Sequence, residues 1–169
     1  AAIGAAQNSD LKKEWQKYLS QTRHHVEVLQ KIAQTMGLDA EEQTPGRKIL
    51  KKMGQSLVEA IEEARKGDPA AAEIVACECV VLAETKDHLD WELIGEVSST
   101  LKGEKKKELH SAYEEIEDEE DEHLYHTRGW CRELWLQSLG MEAVLPPPEE
   151  RKHVRTAIAA AKAQQSRHH

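Results

Sequence analysis

The chain contains no phenylalanine, and four tryptophans and three tyrosines are its only large aromatics in 169 residues. Trp15, Trp91, Trp130 and Trp135 must therefore do most of the aromatic packing. Glycine and proline are sparse and clustered, which argues against a turn-rich β architecture and for long helices. No apolar run approaches the ~20 residues of a membrane span, and no stretch reads as a signal peptide. The three cysteines, Cys77, Cys79 and Cys131, form no CxxC pair and no even-numbered framework. Reduced thiols in a cytoplasmic protein are the expectation, with Cys77 and Cys131 as packing residues. Basic residues are outnumbered 23 to 31 by acidic ones, a formal net charge of −8. Nucleic acid and anionic membranes are accordingly excluded as expected partners.

What is present is long helical periodicity. Residues 1–8 read as a loose lead-in, and Ser9 as the N-cap of a helix ending at Gly37. Its apolar face holds Leu11, Trp15, Tyr18, Leu19, Val26, Leu29, Ile32, Ala33 and Met36. Thr44-Pro45 opens a second helix to about Lys66, with Ile49, Leu50, Met53, Leu57, Ile61 and Ala64 as its expected buried side. Gly67-Asp68-Pro69 starts a third, to about residue 101, and Lys102-Gly103-Glu104 turns into a fourth, over about 104–139. The fourth would be roughly 54 Å long at 1.5 Å per residue. These spacings predict an all-α fold, an antiparallel four-helix bundle over residues 1–145. Pro146-Pro147-Pro148 then leads a C-terminal helix or tail over 146–169.

The fourth helix carries an anomaly. Eight of the nine residues from Glu114 to Glu122 are carboxylates, followed at once by His123. On a wheel of roughly 100° per residue, Leu109, Ala112, Glu119, Glu120, His123, Thr127, Trp130 and Leu134 cluster around Ile116. Asp118, Asp121 and Glu122 fall on the solvated side. Two glutamates and a histidine thus interrupt an apolar stripe, where a carboxylate is costly unless paired, protonated or metal-bound.

The third helix repeats the pattern. Glu84-Thr-Lys-Asp87-His88-Leu89 and Glu119-Glu-Asp-Glu122-His123-Leu124 both read E-x-x-[DE]-H-L. The spacing sets a glutamate and a histidine four apart on one helix face, and Glu120 adds an E-x-x-H spacing. Cys77, Val81, Glu84, His88 and Gly95 share the inward face, with Trp91 and Glu92 at its shoulders. Carboxylate oxygen with imidazole nitrogen suits iron, manganese or zinc. Glu84, Glu119 or Glu120, and His123 are the leading candidate ligands, with His88 behind them. The competing expectation is a metal-free network of hydrogen bonds and ion pairs.

On these residues the chain resembles the ferritin-like superfamily, in particular its bacterial stress-associated branch. That branch carries E-T-x-x-[QH]-V-x-x-L on one helix, matched by Gln21-Thr22-Arg23-His24-His25-Val26-Glu27-Val28-Leu29. Its later inward glutamate is matched by Glu84, and its double glutamate by Glu119-Glu120. The chain departs from the family where Gln21 replaces a ligating glutamate, where Glu59, Glu62 and Glu63 form no E-x-x-H, and at Val81. His24 or His25 could compensate: the wheel favours His25 and the motif His24. The resemblance implies a di-iron or di-manganese centre with a redox or metal-handling role in stress response, acting on O₂ or peroxide. Two alternatives are a metal-free helical module working through homodimerisation or partner binding and, last, a hemerythrin-like carrier, which wants more histidines at helical spacings.

Overall fold

The computed structural model describes residues 1–149, and every regular element among them is a helix. Helix α1 covers Ala2–Ala5, α2 Ser9–Met36, α3 Pro45–Ala64, α4 Pro69–Thr100 and α5 Gly103–Ser138. The long helices fall within about two residues of their expected bounds. The tail expected beyond Pro146 lies, from residue 150 onward, outside the described residues. No described helix is long and apolar enough to cross a membrane.

Local chemistry explains the ends. Asn8, not Ser9, caps α2: its side chain accepts hydrogen bonds from the backbone N–H of Asp10 and Leu11. The lead-in is not loose. Buried Glu73 on α4 accepts from the N–H groups of Gln7 and Asn8, and the small side chains of Ala5 and Ala6 pack into the core. Gly37 ends α2 in the left-handed region at φ 73°, a conformation glycine adopts without Cβ strain. Thr44 and Asp68 cap α3 and α4, each followed by proline at the first helical position, where the missing N–H has no intrahelical partner to lose.

Helix α5 is the axis of the molecule. It packs extensively on α4 and also on α2, and cross-contacts run in opposite residue order on both sides. Gly95 meets Tyr113, Glu84 meets His123 and Glu78 meets Trp135; Lys31 meets Glu108 and Glu14 meets His126. Both neighbours are therefore antiparallel to α5. An apolar core of Leu11, Trp15, Tyr18, Cys77, Trp130 and Leu134 fills one end. Leu109, Ala112 and Ile116 continue the buried stripe of α5, as the wheel predicts. Burying a side chain such as Ile116 contributes about 1.5–3 kcal/mol. Trp91 is buried with them, but Trp135 lies half open at the rim.

Helix α3 departs from expectation. It packs on α4 and α1, with only Ile61 fully inside. Ile49, Leu50 and Met53, expected in the core, are exposed. Helical periodicity identified an apolar face but not what would cover it. A groove of about 740 Å³ between Thr22 of α2 and the facing sides of α3 and α4 takes the place of a closed bundle layer.

Candidate metal centre

Midway along α5 the buried stripe becomes polar. Glu120 and His123 are fully inside, and Glu84 reaches them from α4. Ligand atoms of these three residues lie within 4.8 Å of one another. The E-x-x-H spacing puts Glu120 and His123 on one face one turn apart, and the antiparallel α4–α5 pairing brings Glu84 opposite. Helix α2 supplies the remaining wall. His25 Nδ1 lies 2.7 Å from Glu120 Oε1 and His25 Nε2 lies 2.8 Å from Glu119 Oε2. His123 Nε2 stands 3.1 Å from Gln21 Oε1.

The hydrogen-bond arrangement fixes the chemistry of His123. Gln21 also stabilises the Glu119 carboxylate, a contact that only its NH₂ can supply, so its Oε1 faces the imidazole. His123 Nε2 must then donate to it; when the ring is neutral, Nδ1 carries the lone pair. That nitrogen has no hydrogen bond; it faces Glu84 Oε2 at 3.6 Å and Glu120 Oε1 at 3.9 Å. Glu120 Oε1 has the His25 imidazole beside it at 2.7 Å, a close contact without good hydrogen-bond alignment, and Oε2 has no partner, although the side chain is only 1% exposed. A lone pair and carboxylates turned toward one another in a buried site repel unless a cation lies among them, either the His25 imidazolium beside Glu120 or a bound metal. The donor set of oxygen, oxygen and nitrogen fits a divalent transition metal.

Titration behaviour follows from this crowding. Burial alone would lower the His25 pKa, but contacts with Glu120 and Glu119 outweigh it and the net shift is upward. Burial alone would raise Glu119; His25 and Gln21 overcome it, and Glu119 is held below the usual carboxylate range. Asp87, one turn beyond Glu84, is pushed up to about 7 by burial first, then by Glu120 and Glu84.

The remaining sequence candidates lie apart from this cluster. His24 is exposed and pairs with Glu115 at 2.8 Å; of the two adjacent histidines, the one favoured by the wheel, His25, is inside. His88 turns to Asp121 and Glu92, at 3.5 and 3.3 Å. It lines a polar cavity of about 210 Å³ with Trp91, Tyr113 and Tyr125, and Glu120 borders the same cavity. Glu120 thus stands between the buried cluster and a space large enough for a small molecule.

A second group was missed from sequence. Glu14, Glu122 and His126 also bring potential ligand atoms within 4.8 Å, so both groups could hold a metal ion. Their hydrogen bonding differs. Glu14 Oε1 accepts from Tyr18 OH at 2.9 Å and also contacts His126 Nδ1, while Glu14 Oε2 accepts from Trp130 Nε1 at 2.6 Å. Burial, then Glu14, drives the Tyr18 pKa up, so its phenol stays a donor. Both oxygens of Glu14 are satisfied without a metal, whereas Glu120 has only the His25 contact at Oε1 and nothing at Oε2. The signal was available: Glu14 sits three residues after Leu11 and four before Tyr18, on their helix face. Comparison with protein-family models, curated proteins and solved structures finds no match to this chain.

Proposed function

We propose that the chain binds a divalent metal, iron first and manganese or zinc as alternatives, through Glu84, Glu120 and His123, and serves a redox or metal-handling role of the ferritin-like kind. The observation that carries this reading is the convergence of Glu84, Glu120 and His123 ligand atoms within 4.8 Å of one another, with the buried His123 Nδ1 and Glu120 Oε2 lacking hydrogen-bond partners. The all-helical fold and the motif around Gln21 support it at the level of resemblance. A bound iron would supply chemistry toward O₂ or peroxide. The protein's own residues divide the remaining work. Gln21 sets the His123 tautomer, His25 and Glu119 balance charge beside Glu120, and the cavity beside His88 gives a small oxidant a way to Glu120. One E-x-x-H and a glutamine in place of a ligating glutamate favour a single strong ion position over a symmetric pair.

The second reading is a metal-free module. His25, raised in pKa between Glu119 and Glu120, supplies a positive charge that a metal would otherwise provide. Anaerobic titration with Co²⁺, followed by its visible ligand-field absorption, separates the readings. Saturable binding in the native chain that disappears in Glu84→Ala/His123→Ala supports the metal site, and no binding in either leaves the module. Oxidation of bound Fe²⁺ by O₂ or peroxide faster than that of free Fe²⁺ then tests the redox role.

A further inference from the structure

The cavity beside His88 is built differently from the metal centre it adjoins. Buried Trp91 and Glu120 form its inner walls, and Glu92 and Glu117, both exposed, stand toward solvent. Three of its lining residues are aromatic, Trp91, Tyr113 and Tyr125, and four are carboxylates. Among the described residues no lysine or arginine lines it. Its one basic side chain is shared: His88 Nε2 lies 3.3 Å from Glu92 and Nδ1 3.5 Å from Asp121. A neutral imidazole has a single N–H for those two carboxylates, and even an imidazolium leaves the lining net negative. The Glu117 carboxylate beside the Tyr113 phenol, together with burial, pushes its pKa up to about 12, so that wall is a neutral ring. The ring packs directly over Gly95 of α4, where a Cβ would come within 2.9 Å of it. Glu120 Oε2, deep in the protein, has no hydrogen-bond partner, and a buried carboxylate oxygen is costly in that state.

We infer that this cavity binds a small alkylammonium ion. Its volume, about 210 Å³, is below the ~300–1,000 Å³ of pockets for drug-sized ligands, so the occupant has only a handful of heavy atoms. The carboxylates exclude an anion. Their spread argues against a compact metal ion. The two groups whose ligand atoms come within 4.8 Å of one another are Glu84, Glu120, His123 and Glu14, Glu122, His126, and neither includes Glu92, Glu117 or Asp121. A metal draws its ligand atoms in to about 2.0–2.6 Å. A bulky, weakly hydrated cation is held instead by aromatic faces, with carboxylates around it at longer range. Tyr125 already attracts one cation of this kind, the Arg128 guanidinium, 5.8 Å from its ring centroid. An ammonium N–H would also supply the donor that Glu120 Oε2 lacks. The inference does not depend on a metal being bound, although Glu120 is common to the cavity and the centre.

The test is a proton NMR titration of the full chain with trimethylammonium chloride, in the presence of chelator, beside tert-butanol as a neutral molecule of similar shape. The expected result is a saturable upfield shift of the trimethylammonium methyl resonance, caused by the ring currents of the aromatic walls, and no comparable shift for tert-butanol. Tyr113→Leu should weaken binding about 2–30-fold, the range of one cation–π contact. Gly95→Ala, which forces the Tyr113 ring to move without changing any charge, should weaken it as well. Glu117→Gln/Asp121→Asn removes two charges and relieves their repulsion, so it keeps the test open where Tyr113→Leu fails to fold. It too should weaken binding, and reduce its sensitivity to salt. No saturable shift in the native chain would overturn the inference. Equal binding of tert-butanol would do so, as would folded variants that all bind as the native chain does. Because chelator is present throughout, failure here leaves the Co²⁺ result at Glu84, Glu120 and His123 untouched, and the reverse also holds.

Discussion

His123 donates through Nε2 to Gln21 Oε1 at 3.1 Å, and this contact turns the free nitrogen of the ring toward Glu84 and Glu120. A glutamine that looks like a lost ligand is, in this geometry, what sets the tautomer of a retained one. Gln21→Leu removes the acceptor without adding charge, and metal affinity should fall about 10–100-fold, the usual effect of losing such a partner. Gln21→Glu keeps an acceptor and adds a negative charge, so affinity should hold or rise. Competition titration against a chelator of known affinity checks both. Equal affinity in native protein and the leucine variant would remove Gln21 from the account.

The Glu14 network is expected to be structural. Glu14→Ala leaves Tyr18 OH, Trp130 Nε1 and the His126 imidazole without their shared acceptor. Losing one partner of a buried polar network costs about 3–5 kcal/mol. Urea denaturation should show a loss of that order, with metal stoichiometry unchanged. A variant of native stability that had lost metal would place the ion at Glu14 instead.

Asp87 gives stability a pH dependence of definite sign. Its folded pKa, about 7, lies above the ordinary 3.8, so between those values the native state holds its proton more tightly than the unfolded chain. Its stabilising contribution is complete below about 3.8 and is lost as pH rises through about 7. Asp87→Asn carries no charge at any pH. In the presence of chelator it should be more stable than the native chain at pH 8, and the difference should shrink toward pH 4. Denaturation at both pH values reads this out, and a gap that widened toward pH 4 would reverse the assignment.

The sequence disclosed the centre better than its surroundings. The α5 stripe was legible because a carboxylate and an imidazole at apolar positions violate helical patterning, and such violations are informative wherever the pattern is strong. The same wheel separated His25 from His24, since adjacent helical positions point about 100° apart, although the motif reading favoured His24. Glu14 went unread because it follows Lys12 and Lys13 and looks like one more solvated charge. His88 carries the same local pattern as His123, but its side chain reaches Asp121 and Glu92 instead of Glu120. Neighbouring helices made that choice. The exposure of α3 was illegible for a related reason: amphipathicity specifies a face to be covered, and its cover can be another molecule.

Metal content tests the central claim most directly. Protein prepared without an affinity tag or chelator is analysed for Fe, Mn and Zn beside Glu84→Ala/His123→Ala, with circular dichroism confirming that both fold. The account predicts about one ion per native chain and almost none in the variant. Folded native protein without metal, or equal metal in both, would contradict it.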